Sequence, residues 1–82
     1  MKTIQFHAKN QFIIHGDNGN YLQSYDSIIV FRPFDGSTQL DINYWDYSVT
    51  TGKYRNLFLN ETKKETETKI KSGEYILTDL NN

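Results

Sequence analysis

Up to Trp45 the apolar residues of this chain alternate; beyond it they fall at helical spacing, so strands must come first and helices second. Tyr54, Leu57 and Phe58 stand at i, i+3 and i+4, and Ser48 or Thr50 is placed to cap a short helix that ends near Leu59. Thr62-Lys63-Lys64-Glu65 is a capping box, in which the first side chain and the fourth each satisfy a free backbone amide of a new helix. Glu65 with Lys69 and Glu67 with Lys71 form i to i+4 pairs in the favoured order, each worth ~0.2 to 0.5 kcal/mol. Ser72-Gly73 ends this second helix, glycine taking the left-handed position past its last turn. Its one strong apolar anchor is Ile70, so it is expected on the surface. Tyr75 to Thr78 reads as a closing strand and Asp79 to Asn82 as a frayed tail.

Before Trp45 the turn residues set the strands. Thr3–His7 and Gln11–His15 flank Lys9-Asn10; with those two as the loop, His7 pairs with Phe12 and His15 with Ile4. Gly16-Asp17-Asn18-Gly19-Asn20 is the clearest turn, because Asn-Gly tolerates the positive φ of a tight hairpin, and it leads into a strand from Asn20 to Tyr25. If Asp35-Gly36 is the next loop, Phe31 faces Leu40, Ile29 faces Ile42, and Val30 faces Asp41 on the other side of the sheet. That register also sets Arg32 diagonal to Asp41. The expected architecture is one α+β domain over residues 1–82: an antiparallel meander of five or six strands, with one or two short helices inserted before the C-terminal strand and covering one face.

Eighty-two residues give a small core, and the absence of cysteine removes both disulfide support and any thiolate zinc site. A small secreted domain would ordinarily carry disulfides, and no apolar run has signal-peptide or membrane-spanning length, so a soluble protein of the cytoplasm is expected. The net charge of -1 predicts neither nucleic-acid binding nor its mimicry, but the charges are segregated. From Asp17 to Asp46 the acids Asp17, Asp26, Asp35, Asp41 and Asp46 face only Arg32; from Lys53 to Lys71 the bases Lys53, Arg55, Lys63, Lys64, Lys69 and Lys71 outnumber Glu61, Glu65 and Glu67.

Thr51-Gly52-Lys53 fails as a phosphate loop, since Tyr47 stands where the leading glycine belongs and Tyr54 where Ser or Thr should follow. His15 and Asp17, with a third ligand from elsewhere, are the candidate ligands of an all-nitrogen-and-oxygen zinc site; no other cofactor is expected. No nucleophile elbow or triad pattern is visible, and a non-enzymatic role is expected. Two surfaces compete. Tyr44, Trp45 and Tyr47 with Asp35, Asp41 and Asp46 would make an acidic, aromatic protein-binding face. Lys53, Tyr54, Arg55, Lys63 and Lys64 would instead stack on bases and follow phosphates.

The run from Tyr44 to Leu59, continued by Glu61 to Thr66 and Ile70 to Tyr75, resembles an uncharacterised family of small proteins from phages, prophages and mobile elements of low-GC Gram-positive bacteria. The resemblance spans about Tyr21 to Leu80 and leaves the first twenty residues outside. It carries no established site residues. It implies an accessory protein acting on host machinery, similar in kind to anti-CRISPR proteins. The expected partner is then a CRISPR effector or another defence nuclease, bound by steric occlusion. A nucleic-acid-binding accessory protein and a phage structural module are the alternatives.

Overall fold

The computed structural model describes residues 2–82, and Met1 lies outside the described residues. The elements run β1 (Lys2–Gln5), β2 (Gln11–His15), β3 (Gly19–Ser24), β4 (Ser27–Pro33), β5 (Gln39–Asp41), α1 (Val49–Leu59), α2 (Lys63–Ser72) and β6 (Ile76–Thr78). They form the expected α+β fold, with six strands lying in the sheet in chain order. β1 to β5 pair antiparallel, whereas β6 lies parallel to β5, because two helices intervene and return the chain in the same direction.

Leu22 faces Val30, and Val30 faces Leu40; all three are 0% exposed and define the inner face. The β4–β5 register is therefore one residue away from that expected for an Asp35-Gly36 loop. The connection is longer, and Phe31 faces Gln39 rather than Leu40. A one-residue shift exchanges the faces of the whole strand, so Phe31 points outward and Ile42 is left exposed. Ile29 nevertheless stays buried beside Val30, since a bulge opposite Leu22 and Gln23 turns two consecutive side chains inward.

The first hairpin is also shorter than its sequence suggests. Gln5 pairs with Phe12, and Lys2, not Ile4, pairs with His15. Phe6 leaves the strand to pack edge-on against Phe58, ring centroids 6.2 Å apart, and the loop turns through positive φ at His7 and Asn10. At the second hairpin the glycine has a different task from supplying positive φ. Gly19 is buried within β3, and a Cβ there would fall on the Arg32 carbonyl oxygen and within 2.6 Å of Pro33 Cα. The two backbones meet too closely for any side chain.

Both helix starts are those expected. The Ser48 Oγ accepts the Thr51 amide at the head of α1. The Thr62 Oγ1 accepts the Glu65 amide while Glu65 Oε1 accepts the Thr62 amide. Gly73 closes α2 at φ 85°. The buried stripe of α1 differs from the apolar one: it is Thr51, Gly52, Arg55 and Leu59, while Leu57 is exposed. Glu65 is occupied by the cap; Lys69 Nζ instead meets Glu61 at 2.7 Å. The C-terminal residues are anchored, not frayed: the Asn81 side chain donates to the Ile28 carbonyl and accepts the Ile28 amide.

Candidate partner-binding surface

The segment from Asp41 to Arg55 is an internal latch. Asp41 is 0% exposed; its Oδ2 accepts the amides of Asn43 at 3.0 Å and Tyr44 at 2.9 Å, and its Oδ1 accepts that of Leu80 at 2.7 Å. A carboxylate spent on three backbone donors and closed to solvent has no partner-binding role. Its expected place on an acidic face is thus corrected, and so is its proximity to Arg32, whose guanidinium donates to the Phe58 carbonyl at 3.4 Å.

Tyr44 and Trp45 are half-buried against the hydrophobic core, so they close the core and are not free anchors. The Trp45 carbonyl accepts from Arg55 Nη1 at 2.7 Å, and the guanidinium lies 5.2 Å from the centre of its ring. Arg55 is 1% exposed and also reaches Asp46 Oδ1 at 3.2 Å and Asn56 Oδ1 at 3.0 Å. The second Asp46 oxygen meets Lys63 Nζ at 2.7 Å. Partial burial pushes the Asp46 carboxyl up, but the hydrogen bonds and charges of Lys63 and Arg55 outweigh it and hold the group below its ordinary value. Thus Asp46, assigned by sequence to one surface, is shared by Arg55 and Lys63, assigned to its rival, and ties the start of α2 to α1.

Of the remaining candidates, Tyr47 is 71% exposed and Asp35 is exposed, while Lys53 and Lys64 lie open on the helices and Tyr54 is half-buried. Lys53 Nζ sits 5.5 Å from the centre of the Tyr54 ring. His15 Nδ1 lies 2.8 Å from Asn20 Oδ1, and among the described residues no group of three or more His, Cys, Asp or Glu is placed to hold a metal ion. His15 and Asp17 do not form a metal centre with a third such residue.

Sequence reasoning missed the face of the sheet turned away from the helices. Tyr21 and Phe31, each next in sequence to a fully buried residue, face one another there with ring centroids 4.4 Å apart and planes within 18°. The signal was present: Tyr21-Leu22 and Val30-Phe31 place an apolar residue on both sides of the sheet.

The fold and surface define a small α+β domain in which α1 packs on β3 and β4 of a six-stranded sheet and Ile70 of α2 joins the core, on the side away from Tyr21 and Phe31. The chain belongs to a family of unknown function, DUF8033, whose model matches residues 2–74 and so includes the first hairpin. Comparison with curated proteins gives no match. Comparison with solved structures gives none either.

Proposed function

We propose that this chain is a non-enzymatic protein of a phage or mobile element that binds and inhibits a host defence nuclease by occlusion. A CRISPR effector is the target to which the resemblance of the Tyr44–Tyr75 region points. The observation that carries a protein partner, over nucleic acid, is the fate of the charges. Arg55 is buried, and Lys63 and Lys69 are paired with Asp46 and Glu61, so three of the six bases from Lys53 to Lys71 are engaged by acids or packing of the chain itself. Asp17, Asp26 and Asp35 remain exposed. Such acids oppose phosphate and favour a basic protein groove. Asp35 and Tyr47 are the members of the expected binding set still available to a partner.

The test is DNA cleavage by guide-loaded CRISPR nucleases of Gram-positive hosts, with the intact protein added at stoichiometric amounts. The expected result is loss of cleavage by one of them, with association slowing as salt rises. Unimpaired cleavage by all of them, together with a mobility shift of an oligonucleotide at micromolar protein, would replace this reading with nucleic-acid binding.

A further inference from the structure

The uncovered sheet face is more than a row of scattered apolar residues. Phe31 faces Tyr21 on β3 and Gln39 on β5, and Gln39 faces Ile76 on β6. The row crosses four strands, apolar at Tyr21, Phe31 and Ile76 and polar at Gln39. Phe34 is 70% exposed and Ile76 47% exposed beside it. The Phe34 amide donates to the Asn18 carbonyl at 2.9 Å, tying the β2–β3 turn to the β4–β5 loop. This bond brings Asp17 and Asp35 to the border of one shallow concavity of about 540 Å³, whose wall also holds Tyr21, Phe31, Phe34 and Ile76 and contains no Lys, Arg or His.

Isolated surface apolar residues are ordinary, but a stacked aromatic pair beside a protruding aromatic ring offers a place where another surface can be buried. Its charge selects the occupant. Nucleic acid would bring phosphates against two carboxylates that, among the described residues, form no ion pair. A second copy packed face to face about a two-fold axis would bring the same acids together. A protein surface offering an aliphatic side chain flanked by Arg or Lys meets both the rings and the carboxylates.

We propose that this face is the docking surface for such a basic, apolar protein segment, with Phe34 as its anchor and Asp17 and Asp35 as its steering charges. The inference rests on the protein-binding reading above and specifies where and what it binds. It is tested first without any natural partner, by titrating isotope-labelled protein with a short peptide amide of alternating Leu and Arg, and with its Leu-Glu counterpart. The Arg peptide should shift the amide signals of Tyr21, Phe31, Gln39 and Ile76, and the Glu peptide should not. Shifts confined to α1 and α2, equal shifts from both peptides, or no shift at millimolar peptide would overturn the assignment. So would a dimer in light scattering that Phe34→Ser dissolves, which would give the face to a second copy.

The same surface is then tested on any nuclease that the intact protein inhibits. Phe34→Ser, and Asp17→Lys with Asp35→Lys, should each weaken binding about tenfold or more, whereas Glu67→Lys, a charge reversal at an exposed position of α2, should not. Full binding by the face variants would remove the docking surface while leaving the inhibitor. Selective binding of the Arg peptide with no nuclease inhibited would remove the inhibitor while leaving the surface.

Discussion

The carboxylate of Asp41 and the amide of Leu80, far apart in sequence, meet at 2.7 Å inside the fold. That one bond joins the end of β5 to the segment after β6, and the other Asp41 oxygen fixes the turn that leads towards α1. A single buried side chain thus sets the entry to the helices and the exit from them.

Removal of residues 79–82 is therefore expected to destabilise the domain. It deletes the Leu80 donor to Asp41 and both Asn81 bonds to Ile28, each worth about 0.5 to 1.5 kcal/mol net. A loss of about 2 kcal/mol should appear as a lower urea midpoint. An unchanged midpoint would show that the segment does not contribute.

The Arg55 pocket makes an asymmetric prediction. Arg55→Ala removes the donor to the Trp45 carbonyl and leaves a void beside the indole, for an expected loss of about 3 kcal/mol. Asp46→Asn keeps an oxygen near the guanidinium and leaves Lys63 free in solvent. Its cost should be nearer 1 kcal/mol, because the Asp46 side chain is 31% exposed and partly screened. Thermal melts of both variants measure the difference.

Acid should weaken the fold through Asp46 and Glu61. Burial pushes the Glu61 carboxyl up, but hydrogen bonds from Lys69, Tyr75 and Thr66 outweigh it and hold the group below its ordinary 4.5. Asp46 is likewise held below 3.8. A depressed folded value means that the unfolded chain binds more protons in this range. The stabilisation is whole above the ordinary values and is lost as pH falls through the folded ones. Melting temperature should fall on acidification below about pH 4.5, and Asp46→Asn with Glu61→Gln should flatten that part of the profile.

Two glycines should answer the same substitution oppositely. Gly19→Ala drives a methyl group into the backbone of β4, for a loss of about 1 to 3 kcal/mol or more. At Gly52, inside α1, an added Cβ finds its nearest neighbour, Arg55 Nη2, at 3.5 Å, which is ordinary contact. Gly52→Ala should therefore raise stability by about 0.5 to 1 kcal/mol. Chemical denaturation of the pair decides both signs.

These contrasts show where the sequence was legible. Helix caps are local, so Thr62 and Gly73 could be read directly from their neighbours and the first cap narrowed to Ser48 or Thr50, of which the structure uses Ser48. Strand register was not local in the same way. The bulge at Ile29 and the longer β4–β5 loop are set by burial of Leu22, Val30 and Leu40 together, and a register one residue away pairs Phe31 with Leu40 in place of Gln39. The density of rings from Tyr44 to Tyr47 does not by itself tell core from surface. What decides is Arg55, a cation that helical spacing assigns to solvent and that the Trp45 carbonyl and Asp46 draw inside. The open face escaped notice because its residues are spread over four strands.

The parallel pairing of β6 with β5 has a consequence in time. Each antiparallel hairpin can close over a few residues, but Ile76 reaches Gln39 only across both helices. Contacts between residues so distant in sequence form late, after their loop-closing entropy is offset by structure already made. The meander should accordingly assemble first and remain unlatched, its β5 edge bare, until the helices deliver the last strand.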